Sequence, residues 1–158
     1  MPAMKPAQME RSLEDIDLNV LVQKGIKGLI VNWNNTVRNK RSRSYSIQLQ
    51  AWLKRASDHH ELKVIIVTNS EQSDEANVLN TFFPILFSAG KPRKAPFLKA
   101  LDILGTEAYQ TAVIGNGILT DLWGGNRLGM YTIFVSPPWT SPPMLGAAKW
   151  ALVKLLNR

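Results

Sequence analysis

Small polar side chains follow two short apolar segments of this chain, at the point where each segment ends. Asn32 and Asn34 come directly after the apolar residues 28–31, and Thr68 and Asn69 follow the apolar strand-like segment ending at Val67. Amide and hydroxyl groups can hydrogen-bond an anion or contribute oxygen to a cation, but they are poor nucleophiles and do not exchange protons near neutral pH. These residues predict a polar binding site whose chemistry depends on the charged groups that join it.

Two charged residues occupy comparable places further along the chain. Lys91 follows the short apolar segment 84–88, and Asp121 lies a few residues after Asn116, which follows the apolar segment 111–114. An ammonium group attracts phosphate, and a carboxylate is the oxygen ligand that Mg²⁺ prefers. Together with the amides, these two charges favour a site for a phosphate-like anion.

The elements that must position these residues form a regular alternation. Five short apolar segments separated by segments with helical patterning predict a Rossmann-like, three-layer α/β domain with about five strands in a mainly parallel sheet. Right-handed crossovers bring the carboxyl ends of parallel strands to one edge of the sheet. The polar and charged side chains named above should therefore converge at that edge.

The length of 158 residues is that of one domain. We expect residues 1–11 to be a disordered N-terminal lead-in and residues 12–136 to form the core domain. Residues 137–158 should be a proline-rich connector followed by an apolar and basic C-terminal helix. That helix either packs on the sheet or lies on a membrane or a protein partner, with Trp150 and its lysines at the boundary.

Composition narrows the function classes. Cysteine is absent, which excludes disulfides, a thiol nucleophile and cysteine-ligated zinc. The sequence contains no apolar stretch long enough for a transmembrane helix. We expect a cytoplasmic protein, either free or peripheral to a membrane. The net charge is +7, which fits either a solvated basic surface or a rim that attracts phosphates, nucleic acid or an anionic membrane. The basic residues form three clusters, namely Arg38, Lys40, Arg41 and Arg43; Lys91, Arg93 and Lys94; and Lys149, Lys154 and Arg158.

The order of the motifs resembles that of the haloacid dehalogenase (HAD) phosphatase superfamily, and within subfamily IIIA the small capless YqeG-like group related to phosphatidylglycerophosphate phosphatases. Residues 32–36, Asn-Trp-Asn-Asn-Thr, stand where these enzymes have Asp-x-Asp-x-Thr. Thr68 matches the second motif, and Lys91 before Pro92 matches the third. Gly115-Asn116 followed by Asp121 matches the fourth, in which the family has acids.

The resemblance implies a HAD fold without a large cap domain and assigns roles to the matched positions. The nucleophile would be at Asn32 and the general acid and base at Asn34, where amides replace the expected carboxylates. The resemblance assigns phosphate binding and metal binding to two further sets of residues. Phosphate or another anion would be bound by Thr68, Asn69 and Lys91, and a weak metal site would comprise Asn32, Asn34, Asn116 and Asp121.

The function expected from these residues is that of a pseudophosphatase. It would keep a role in binding a phosphate-like anion or phosphorylated ligand, or in protein interaction, and would need no cofactor. One alternative is an active Mg²⁺-dependent phosphomonoester hydrolase of the YqeG or phosphatidylglycerophosphate type. Another is a basic nucleic-acid-binding module, which only the charge supports because the sequence has no pattern of stacking aromatics.

Overall fold

A computed structural model describes residues 4–42, 44–58, 60–140 and 142–158. Arg43 of the first basic cluster and residues 1–3 of the predicted lead-in lie outside the described residues. The described chain forms one six-stranded, entirely parallel sheet in the order β1-β6-β5-β2-β3-β4. Its strands are β1 (Gln8–Glu10), β2 (Gly28–Val31), β3 (Lys63–Val67), β4 (Ile85–Leu86), β5 (Thr111–Gly115) and β6 (Tyr131–Val135).

Helices cover both faces of the sheet, so the predicted three-layer α/β architecture is confirmed. They are α1 (Leu18–Gln23), α2 (Ile47–Asp58), α3 (Asp74–Leu79), α4 (Lys94–Leu104), α5 (Gly124–Asn126) and α6 (Pro143–Leu156). Alternate side chains of β2 point to opposite faces, as the strand period requires. Leu29 and Val31 pack with α1, α2 and α3, whereas Ile30 packs with α4.

The central strand β2 places the polar segment that follows it. All four of its residues are buried, as expected for a strand with neighbours on both edges and helices on both faces. Val31 is in register with Ile66 of β3 and with Ile114 of β5. The backbone N–H of Asn32 then donates to the carbonyl of Ile114 at 2.9 Å. This register brings the ends of three strands to the same level.

The expectation of a disordered lead-in over residues 1–11 is wrong for residues 8–10, which form strand β1 at the edge of the sheet. Gln8 pairs with Ile133 and Glu10 with Val135. The side chain of Met9 packs against the small apolar cluster that contains Phe134. A three-residue strand gives too short a pattern to recognise from sequence, and it forms because β6 offers an unpaired edge.

The C-terminal helix α6 packs on the core, which was one of the two expected arrangements. Val153 is fully buried, and Trp150 lies 6.2 Å from Phe134 of β6, between ring centroids. Gly146 is buried, and a β-carbon there would lie only 2.9 Å from the methyl group of Thr140, so glycine allows the helix to approach this residue closely. No helix in the described ranges is long and apolar enough to cross a membrane.

Candidate functional site

The predicted convergence at the carboxyl edge of the sheet is confirmed for four of the side chains, which contact one another directly. Asn32 follows β2 and Asn116 follows β5. The amide nitrogen of Asn32 donates to the Asn116 Oδ1 at 2.9 Å. Lys91 Nζ donates to the Asn32 Oδ1 at 3.1 Å and to the Asp121 Oδ1 at 2.6 Å. Because lysine can only donate, the Asn32 amide must turn its oxygen towards Lys91 and its nitrogen towards Asn116.

Asp121 is held at this site by two glycines, one at the end of β5 and one in the loop that follows it. The backbone N–H of Gly117 donates to the Asp121 Oδ2 at 3.0 Å. A β-carbon at Gly115 would collide with the same carboxylate, so only glycine permits this close approach. The side chains of Asp121 and Lys91 are 1% and 2% exposed, and their charges therefore form a buried ion pair.

Lys91 is positioned by Asn69, whose side chain hydrogen-bonds the backbone of Gly90 and Lys91. The Asn69 Oδ1 accepts from the N–H groups of Gly90 at 3.1 Å and Lys91 at 2.7 Å. Its Nδ2 donates to the Lys91 carbonyl at 3.0 Å. Thr68 is buried beside it, and its hydroxyl oxygen accepts from the N–H of Ser70 at 3.1 Å. These contacts give Asn69 a positioning role, and direct anion binding by Thr68 and Asn69 stays a prediction.

Asn34 belongs to a second polar cluster whose other members the sequence did not identify. The buried Arg38 donates to the Asn34 Oδ1 from Nε at 3.1 Å and from Nη2 at 2.6 Å. The Asn34 Nδ2 donates to the Ser70 hydroxyl at 2.5 Å. Arg38 also lies 3.6 Å from the Glu75 carboxylate and 5.3 Å from the ring centroid of Trp33. The only sequence signal for this contact is the four-residue spacing of Arg38 from Asn34. That spacing does not predict a contact unless the loop is known to turn back on itself.

Lys149 of α6 is a further charged neighbour that sequence reasoning placed only in a distant basic cluster. Burial lowers the pKa of Lys149, the nearby Asp121 carboxylate raises it, and the Lys40 charge lowers it again. Asp121 of the buried ion pair and Lys40 of a loop are therefore both within electrostatic range of Lys149. No pattern in the sequence reveals this proximity, because the helix begins well beyond the end of β6.

Two cavities open beside the loop that contains Lys40. The smaller has a volume of about 250 Å³ and the larger about 450 Å³, and both are lined by Asn39, Ser42 and Trp139. Arg41 lines the larger cavity. The Asn39 Nδ2 donates to the Trp139 carbonyl at 2.5 Å, which ties this loop to the connector that precedes α6.

The side chains at the predicted metal positions do not fit Mg²⁺. Mg²⁺ requires oxygen ligands, preferably carboxylates, in a near-octahedral arrangement. Asp121 is the only carboxylate of the set, and its Oδ1 already accepts from Lys91 while its Oδ2 accepts from Gly117. The Asn116 oxygen is likewise engaged by Asn32. Among the described residues, no group of three or more His, Cys, Asp or Glu side chains could hold a metal ion.

Comparison with known proteins agrees with this fold. A HAD-hydrolase-like family model matches residues 88–153. The chain is similar in fold to an uncharacterized protein from Listeria monocytogenes serotype 4b (TM-score 0.55, 19% identity, covering 84% of this chain and 100% of the other). It is also similar to the cobalt-bound deoxy-D-mannose-octulosonate 8-phosphate phosphatase from Haemophilus influenzae (TM-score 0.55, 11% identity, 71% and 69% covered). The fold is therefore that of the HAD-like hydrolases.

One curated relative carries a functional name. The chain is 26% identical over 132 residues to the probable phosphatase YqeG of Bacillus subtilis strain 168, covering 84% of this chain and 77% of the relative. With the family model and the fold, this similarity supports placement in the HAD-like superfamily.

Proposed function

We propose that this protein is a pseudophosphatase, a HAD-fold protein that binds a phosphate-like anion without hydrolysing a phosphoester. One observation carries the proposal: Lys91 Nζ contacts both the Asn32 amide oxygen and the Asp121 carboxylate. In a phosphatase of this fold, Lys91 would face a nucleophilic carboxylate, and Asp121 would face a metal ion. Here the Lys91 ammonium hydrogen-bonds the Asp121 carboxylate, which is the ligand that the metal would need.

The contacts of Asn32 and Asn34 leave neither with a group that could perform the expected chemistry. Asn32 donates from its nitrogen to the carbonyl of Asn34 and to Asn116, and it accepts from Lys91 through its oxygen. An amide oxygen is a far weaker nucleophile than a carboxylate. Asn34 accepts from Arg38 and cannot deliver or remove a proton near neutral pH. Attack on phosphorus and protonation of the leaving group would both lack a reagent.

Anion binding remains chemically reasonable at the same place. With amides at positions 32, 34 and 116, the site presents fewer negative charges to a phosphate than a cluster of carboxylates would. The charges of Lys91 and Asp121 balance each other, so the net attraction has to come from other cations. Lys149 interacts electrostatically with Asp121, and Lys40 interacts with Lys149. We propose that these two lysines attract the anion and that the Lys91 ammonium hydrogen-bonds it.

The decisive experiment compares hydrolysis of p-nitrophenyl phosphate by the natural chain and by the triple variant Asn32→Asp, Asn34→Asp, Asn116→Asp, each with and without Mg²⁺. We expect no turnover by the natural chain and Mg²⁺-dependent turnover by the triple variant. A control with three carboxylates added at exposed positions elsewhere (Asn19→Asp, Asn77→Asp and Asn157→Asp) should be inactive. Turnover by the natural chain, lost on Asp121→Asn, would overturn the proposal.

The alternative is an active Mg²⁺-dependent phosphatase, and similarity to the probable phosphatase YqeG favours it. The same assay separates the two functions. Anion binding is tested independently by titrating the natural chain with inorganic phosphate and following its heat of binding. Lys91→Met should abolish that heat, whereas Lys99→Met on the exposed face of α4 should leave it unchanged. Equal binding by both variants would remove the anion site from the proposal.

A further inference from the structure

Helix α6 carries an exposed face made only of apolar side chains. Met144 is 86% exposed, Leu155 62%, and Leu145 and Leu152 48% each. At about 100° per residue, these four side chains and the three alanines between them fall within an arc of about 160°. The alanines are Ala147, Ala148 and Ala151, and all three are exposed.

The opposite side of α6 fixes this face in place. Gly146 and Val153 are buried against the core, and Trp150 lies between Phe134 and the guanidinium of Arg11, which is 3.8 Å from its ring centroid. The helix is therefore anchored to the sheet, and its apolar face is an outward surface of a folded domain. A contiguous apolar surface of this kind marks an interaction site in a soluble domain.

The charges around the face select its partner. On the helical wheel, Lys149 and Lys154 border the apolar arc on its two sides, and Arg158 follows the helix. The sequence contains no Asp or Glu after Asp121, so every charged side chain beyond that residue is basic. A second copy docked on the same face would bring these cations together with no acid on α6 to offset them. An anionic lipid surface complements both features, because it accepts apolar side chains beneath a layer of negative headgroups.

We propose that α6 docks this protein on anionic membranes by lying in the plane of the interface. Its 14 residues span about 21 Å at 1.5 Å per residue, which is shorter than the hydrocarbon core of a bilayer. The helix therefore rests on the membrane with Met144, Leu145, Leu152 and Leu155 inserted among the acyl chains. This inference shares only Lys149 with the proposed function, and its experiment changes other residues, so either proposal can fail without the other.

The test is flotation of the full chain with phosphatidylcholine vesicles that contain or lack phosphatidylserine. We expect binding to the vesicles with phosphatidylserine and little to the neutral ones. The variant Leu152→Ser, Leu155→Ser should reduce the partition coefficient at least tenfold, since each leucine contributes about a tenfold preference for an apolar environment. The variant Lys154→Gln, Arg158→Gln should reduce it about fivefold per charge at low salt.

Matched control variants on α4 distinguish docking through α6 from nonspecific adsorption to the vesicles. Leu98→Ser with Ile103→Ser removes two aliphatic side chains of similar exposure, 53% and 46%, and Lys94→Gln with Lys99→Gln removes two exposed charges. Neither control should change flotation. Equal flotation of the α6 and α4 variants, or no flotation of the natural chain, would overturn the proposal. So would a concentration-dependent dimer, measured by light scattering, that the Leu152→Ser, Leu155→Ser variant dissociates while flotation is unaffected.

Discussion

Replacing Asp121 with asparagine should lower the free energy of unfolding by about 3–5 kcal/mol, which is the usual cost of removing one partner from a buried ion pair. The side chains of Asp121 and Lys91 are almost fully buried, and their charged atoms are 2.6 Å apart. The new amide is the same size as the carboxylate, so no cavity forms and the loss is electrostatic. The Lys91 ammonium would be left buried among neutral groups, with the Asn32 oxygen and the oxygen of the new amide as uncharged acceptors.

A double-mutant cycle measures the coupling between the two charges. Urea unfolding followed by circular dichroism would compare the natural chain, Asp121→Asn, Lys91→Met and the double variant. Each single variant leaves an uncompensated buried charge, whereas the double variant leaves none. We therefore expect the double variant to be closer in stability to the natural chain than either single variant. The exposed Asp102→Asn is the isosteric control and should stay within about 0.5 kcal/mol of the natural chain.

Inorganic phosphate extends the same experiment to ligand binding. If an anion can approach Lys91, phosphate should stabilise Asp121→Asn more than the natural chain, because it supplies the missing negative charge. A free energy of unfolding for Asp121→Asn within 1 kcal/mol of that of the natural chain would contradict a buried ion pair, because an exposed pair contributes about that much. Destabilisations of the two single variants that simply add in the double variant would contradict it as well.

Three further predictions concern the neighbours of this pair. Arg38→Met should cost about 1–3 kcal/mol in urea unfolding, because the Asn34 oxygen loses a charged donor; an unchanged midpoint would contradict this role. Gly115→Ala should cost about 1–3 kcal/mol by forcing the Asp121 carboxylate to move, and a fully stable variant would show that the loop adapts freely. Burial lowers the pKa of Lys149 below 10.5 in the folded protein, so the natural chain should gain stability relative to Lys149→Met as pH rises from that lowered value towards 10.5. A difference between the two chains that is constant with pH, or that shrinks on going to alkaline pH, would count against this prediction.

The sequence predicted the sheet and the convergence of its polar residues because both follow from local patterns. Buried strands are continuous apolar runs, and parallel strands joined by helices must end at one edge. Asn32, Lys91, Asn116 and Asp121 each follow the end of a strand, so their meeting needed no knowledge of the loops. Their family order then supported a HAD-like fold, which the structure has.

The sequence could not predict contacts that depend on the path of a loop or on a distant helix. Arg38 reaches Asn34 only because residues 34–38 turn back on themselves, with Asn35 at a positive φ of 55°. Lys149 approaches the ion pair only because the connector returns α6 to the sheet. The pairing of Lys91 with Asp121 also depends on side-chain rotamers. The order of the motifs predicted that Lys91 would bind an anion and did not predict its ion pair with Asp121.

The position of β1 in the sheet determines when the fold can be completed during synthesis. β1 is made first, but its partner β6 is made about 120 residues later, which is of order 6–24 s at common translation rates. Strands β2, β3, β4 and β5 can pair with one another before that time. Residues 8–10 then still have no strand to pair with. The N-terminal strand is therefore added last, together with β6 and α6. Mutations that weaken β1 should accordingly affect the final step of assembly and leave the earlier pairing of the central strands intact.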